Sequence, residues 1–171
     1  GNSTYISAPH LENPAHDAED MAAALKELSF EVISGINLDK STFDDKLRQF
    51  SRALAGADVG LFFYAGHGLQ AKGVNHLIPV DATVENDYDL QIESVTLDSV
   101  LVQMDQAKTR IVILDACRNN PFARTLARST NSRGVSEDLG LAMSVASGLG
   151  TFIAYATQPG NVASDGSGRN S

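Results

Sequence analysis

Val59-Gly60-Leu61-Phe62-Phe63-Tyr64-Ala65-Gly66-His67-Gly68 begins as an almost wholly apolar run and ends on a histidine held between two glycines. A run this short and this apolar reads as a strand buried on both faces, the kind found in parallel sheets. Fifty residues after the histidine the pattern returns: Ile111-Val112-Ile113-Leu114 leads into Asp115-Ala116-Cys117-Arg118-Asn119, and Cys117 is the only cysteine of the chain. Open parallel sheets bind ligands beyond the carboxyl ends of their strands. His67 and Cys117 each follow such an end. If the two strands are parallel neighbours, both side chains arrive at one edge of the sheet. Gly66 and Gly68 would let the backbone there turn tightly and come close to a substrate.

The remaining segments fit around this pair. Pro14 to Leu28 carries Met21, Ala24, Leu25 and Leu28 at helical spacing, and Pro14 suits a helix start. Glu31 to Ile36 reads as a short strand. Ser41 can cap a second helix with Asp44 in its first turn and Phe43, Leu47, Phe50 and Leu54 on one face. His76 to Val80 reads as another short strand, followed by an acidic loop with Glu85, Asp87 and Asp89. Thr96 can cap a third helix with Leu97, Val100, Leu101 and Met104 turned inward. Arg110 to Asp115 is the second buried strand, and residues 118–137 form a long polar segment. Leu139 to Val145 reads as a short helix and Thr151 to Ala156 as a last strand. Strands alternating with helices predict an α/β fold, a sheet flanked by helices on both faces.

The chain has 171 residues, 43% of them hydrophobic and 20% charged, which suits one domain, residues 1–171, with an ordinary core. Its ends read as cuts from a longer protein, so any targeting signal would lie outside it and the compartment stays open. No apolar run approaches the ~20 residues of a membrane span. A net charge of −8 argues against nucleic acid as main partner and suits basic peptides. One cysteine leaves no internal disulfide.

The chemistry open to a cysteine and a histidine at one edge is acyl transfer. A thiol with a free pKa of about 8.5 is mostly protonated at neutral pH. A neighbouring imidazole takes that proton and later returns it to the leaving amine. Backbone N–H groups of Gly68 and Cys117 are the natural donors to the oxyanion. No side chain stands out as the one that orients His67; a backbone carbonyl is one way to do it. His10 and His16 read as surface or cap residues and His76 as structural. A zinc site lacks ligands at recognisable spacing. No Gly-x-Gly-x-x-Gly or Walker pattern follows the first strand, which disfavours a nucleotide-binding domain.

At this point the chain resembles the caspase-like cysteine peptidases, and among them bacterial members related to metacaspases and paracaspases. A lone cysteine with a histidine some fifty residues upstream is itself the known caspase arrangement. The matching blocks are Asn13-Pro14-Ala15-His16-Asp17-Ala18, Phe63 to Gly68, Leu77-Ile78-Pro79-Val80-Asp81, Ile113 to Phe122 and Tyr155-Ala156-Thr157-Gln158-Pro159-Gly160. They run in the family's order through almost the whole chain. The resemblance implies a mixed, mostly parallel sheet of about six strands, with the first strand missing or truncated before Gly1. It also implies a dyad of His67 and Cys117.

Charge bears on specificity. True caspases cut after aspartate with a pocket of arginines and a glutamine. Here Asp115 replaces that glutamine, Asp165 follows the Pro159-Gly160 block where a caspase would present arginine, and Asp17 stands where metacaspases place a pocket aspartate. Three carboxylates would hold arginine or lysine and reject aspartate. For Asp17 a helix-start role is the simpler alternative. Arg118, Arg124, Arg128 and Arg133 fall in an acid-free stretch after the cysteine, so residues 118–137 are a candidate processing loop with Arg124, Arg128 or Arg133 at the cut. No cofactor is required by this chemistry. Calcium, which many metacaspases need, is a weaker implication. Asp81, Glu85, Asp87, Asp89 and Glu93 form an acidic patch at a comparable place, yet the paired aspartates and the later ligand are not evident, and Arg124 stands near the latter's position. The expected partners are peptides or proteins with basic residues, with monomer or dimer undecided. The alternative is a catalytically silent caspase-like module that binds peptides or acts as a scaffold.

Overall fold

The computed structural model describes residues 1–117, 122, 126 and 150–156. Among them the elements are, in order, α1 (Pro14–Glu27), α2 (Lys40–Ala53), β1 (Val59–Ala71), β2 (Val74–Leu77), α3 (Asp87–Glu93), β3 (Val95–Thr96), α4 (Leu97–Gln103), β4 (Thr109–Cys117) and β5 (Thr151–Tyr155). One sheet holds the strands in the order β3-β2-β1-β4-β5. The two apolar runs are parallel neighbours, as expected, paired from Val59–Thr109 to His67–Cys117. β5 continues the parallel set beside β4. β2 is antiparallel to β1 and to β3. Four of the five described strands therefore run one way, giving a mixed, mostly parallel sheet.

Packing follows the alternation of side chains along each strand. Phe43 and Leu47 of α2 and Leu97 and Val100 of α4, with Met104 just beyond it, pack with Tyr64, Val112, Leu114 and Ala116 in the main core. Burying such side chains contributes roughly 1.5–3 kcal/mol each. α1 packs on β1 as well. A second cluster joins Leu69, Ile78, Ala82, Val84 and Leu90 of α3 to Phe122 and Leu126.

The structure departs from expectation in four places. β1 does not end at Tyr64 but runs through His67 to Ala71, because the chain turns at Lys72-Gly73, both at positive φ (51° and 81°), and returns as β2. The cap of α2 is Asp39, whose carboxylate accepts from Thr42 N–H (2.7 Å), rather than Ser41, which lies inside the helix. The acidic segment is not all loop. Asn86 and Asp89 form a capping box that starts α3. Glu31–Ile36 joins no described ladder, so five strands are described rather than six. Between residues 30–35 and the edge of β1 at 59–64 lies a cavity of about 470 Å³, which separates the two. Only its end is bridged. Gly1 N donates to Gly35 O, Asn37 N donates to Gly1 O, and Asn2 N donates to Ala65 O. The Leu139–Val145 helix lies outside the described residues.

Candidate active site

His67 sits where β1 exchanges neighbours. Up to His67 the strand pairs with β4, and from Gly68 onward with β2. His67 and Cys117 are register partners in the last pair of the parallel ladder. The switch needs Gly66. Its φ is +149°, and a Cβ there would stand 2.6 Å from the Tyr5 hydroxyl and 2.8 Å from the Tyr64 hydroxyl.

The imidazole is only 2% exposed, and two residues invisible to the sequence argument surround it. Its Nε2 lies 2.8 Å from the Pro9 carbonyl oxygen. A carbonyl only accepts, so Nε2 carries the proton and Nδ1 is the basic nitrogen of the neutral ring. This meets the sequence's open question about His67: a main-chain carbonyl orients it. The Tyr5 ring lies against the imidazole, centroids 4.5 Å apart and planes tilted by 51°. The His67 N–H donates to the Tyr5 hydroxyl (2.8 Å). The Tyr64 hydroxyl donates to His67 O (2.8 Å) and Ile78 O (3.1 Å) and accepts from Ile78 N–H. Tyr64 could have been suspected from its place three residues before His67. Tyr5 and Pro9 have no local signal, being 62 and 58 residues away along the chain.

The ladder also orients Gly68. Ile78 N–H, just past β2, donates to His67 O (3.1 Å), and in a planar trans peptide the N–H of the next residue points opposite to that carbonyl. The Gly68 N–H therefore points away from β2, toward the β4 side beyond the His67–Cys117 pair.

Asp115 is half-buried, opposite Ala65, on the face away from Leu114 and Ala116. Asp17 is in the first turn of α1. A Cβ on Gly1 would meet Pro14 O and Ala18 Cβ, so the first turn of α1 lies against Gly1. Gly1 precedes Asn2, whose N–H is bonded to Ala65 O. The first turn of α1 and Asp115 thus border the same end of the sheet. Asp165, Arg124, Arg128, Arg133 and most of the 118–137 segment lie outside the described residues.

The acidic patch has structural employment. Asp81 accepts from Lys40 N–H (2.9 Å), Asp87 pairs with Lys72 (2.6 Å), and Asp89 accepts from the Glu85 and Asn86 N–H groups. Among the described residues no three His, Cys, Asp or Glu side chains gather as a metal site, and no helix is long and apolar enough to cross a membrane. His76, read as structural, is buried. Its Nδ1 lies 2.7 Å from Ser94 Oγ.

Comparison with known proteins fits this geometry. The family model described as "Caspase domain" matches residues 1–171. This chain belongs to the caspase-domain family of cysteine peptidases. It is 30% identical over 120 residues to human (Homo sapiens) mucosa-associated lymphoid tissue lymphoma translocation protein 1, and equally to the mouse (Mus musculus) homolog. The match takes in 69% of this chain and 14% of each relative, so the chain spans about a seventh of the length of the curated proteins it resembles.

Proposed function

We propose that this caspase-domain chain is an endopeptidase that cuts after arginine or lysine, with Cys117 as nucleophile and His67 as acid and base. The observation that carries the reading is the pairing of His67 with Cys117 at the end of the parallel ladder, with the imidazole held by Pro9 so that Nδ1 is basic. Nδ1 accepts the thiol proton, and the thiolate attacks the scissile carbonyl. The N–H groups of Gly68 and Cys117 receive the oxyanion, donors typically worth about 3 kcal/mol each. The imidazolium returns the proton to the leaving amine as the C–N bond breaks. A water, deprotonated by the same imidazole, then attacks the thioester, and Cys117 leaves as thiol.

Asp115, Asp17 and Asp165 form the acidic primary pocket, in which a guanidinium pairs bidentately with a carboxylate. Support comes from the placement of Asp115 opposite Ala65 and of the first turn of α1 against Gly1, whose neighbour Asn2 is bonded to Ala65 O. Self-cleavage after Arg124, Arg128 or Arg133 follows from the same preference.

The test is hydrolysis of fluorogenic peptides ending in arginine, lysine or aspartate, with and without calcium, beside Cys117→Ala. Cleavage after arginine or lysine, lost in the variant, is expected. Cleavage after aspartate would overturn the acidic pocket and leave the dyad standing. A chain that binds basic peptides but cleaves none would be a peptide-binding module instead.

A further inference from the structure

We infer that Tyr5 is a positioning residue for His67, its hydroxyl fixing the main chain of the Gly66–His67 turn and its ring fixing the imidazole against the Pro9 carbonyl. The inference rests on the reading of His67 as acid and base. In a regular ladder a strand N–H finds a carbonyl on the neighbouring strand. The positive φ at Gly66 accompanies a departure from that pattern: the His67 N–H goes to a phenol oxygen contributed from 62 residues earlier. That phenol also lies 3.4 Å from the Tyr64 hydroxyl, whose own proton is engaged by the His67 and Ile78 carbonyls. Tyr5 therefore donates to Tyr64 while accepting from His67, and both tyrosines grip the same turn.

Tyr5 can position because its own segment is tied down independently. Asn2 N–H is bonded to Ala65 O and its side-chain amide to Ile78 O. Ser3 and Thr4 N–H groups share the Asn37 side-chain oxygen. Ile6 N–H is bonded to Val80 O, and Ser7 Oγ contacts Thr83 Oγ1. Pro9, four residues beyond Tyr5, supplies the carbonyl on Nε2. One anchored segment thus holds His67 by its main-chain N–H, its ring face and its far nitrogen. A ring against the imidazole also favours the imidazolium that forms when the thiol gives up its proton. Small misplacements of a catalytic group are costly: about 1 Å can lose up to a hundredfold in rate.

Two variants separate the two contacts. Tyr5→Phe removes the hydroxyl and keeps the ring, and kcat toward the best peptide should fall about tenfold with KM little changed. Tyr5→Leu removes both; kcat should fall further, and the acid limb of the pH–rate profile should move to lower pH. Nitrogen-15 NMR of the imidazoles, with His67 assigned by its loss in His67→Gln, gives a readout independent of turnover. The parent chain should show His67 as the single Nε2–H form, and Tyr5→Leu should show a mixture. If the tautomer and the pH profile stay unchanged in both variants, Tyr5 is only packing and the inference is overturned. A rise in KM at constant kcat would overturn it equally, making Tyr5 a substrate contact. If the parent chain cleaves no peptide yet Tyr5→Leu releases the tautomer, the positioning role stands and the peptidase reading is what fails.

Discussion

His67 and His76 lie on adjacent strands, are 2% and 4% exposed, and are held in opposite tautomers. His67 donates from Nε2 to the Pro9 carbonyl. Ser94 Oγ donates its one proton to Leu90 O (2.7 Å), so His76 must donate to Ser94 from Nδ1. His67 stands at the last pair of the parallel ladder, opposite the chain's one cysteine; His76 stands inside the antiparallel ladders, between Leu69 and Thr96. Burial is the same in both. What differs is which nitrogen is committed and what lies at the end of the strand.

The sharpest way to break this contrast is Gly66→Ala. A Cβ at φ +149° meets both tyrosine hydroxyls, and strain with overpacking is worth about 3 kcal/mol or more. Peptide turnover should collapse and the melting temperature should drop by about 10 °C, while the His76 imidazole signals stay in place. A next, smaller effect concerns pH. Burial lowers the His76 pKa below its ordinary 6.5, so the folded chain resists a proton that the unfolded chain accepts. Stability is full above the unfolded value and is lost as pH falls below about 6.5 toward the folded value. Urea midpoints from pH 8 to 5 should show that loss, and His76→Gln should flatten it without abolishing turnover. Smallest is Thr96→Ala. Thr96 pairs with His76 and caps α4 by accepting from Ser99 N–H (3.2 Å). Its loss should cost about 1 kcal/mol in denaturant unfolding and leave kcat unchanged, marking the His76 side of the sheet as support.

What the sequence disclosed follows the same division. Val59–Tyr64 and Ile111–Leu114 announced themselves as parallel strands because the runs are apolar throughout. Leu97, Val100 and Met104 announced α4 by their spacing, and Thr96 its start. The hairpin after His67 was missed because Gln70, Lys72 and Asn75 break the apolar pattern that marks a buried strand. α3 was missed because four of the seven residues Asp87–Glu93 are acidic or amide. Glu31–Ile36 carries a strand's composition without a ladder, since pairing depends on what lies alongside and not on propensity. At the site, His67 and Cys117 were legible as the residues that follow two apolar runs, and the structure pairs them in register, although β1 runs on past His67 to Ala71. Tyr5 and Pro9 were not, because their contacts with His67 exist only once segments some sixty residues apart are folded together.

The exchange of neighbours in the middle of β1 also orders events in time. The β1–β2 hairpin closes over a two-residue turn, whereas the β1–β4 ladder joins residues fifty apart and waits for α3, α4 and the intervening chain to collapse. Local hairpins close in about 1–10 μs, and non-local parallel pairing is far slower. Gly68–Ala71 should gain amide protection early in refolding, Val59–His67 late. The histidine is thus anchored on one side before Cys117 arrives, and in a nascent chain the two residues come together only once the non-local β1–β4 pairing is complete.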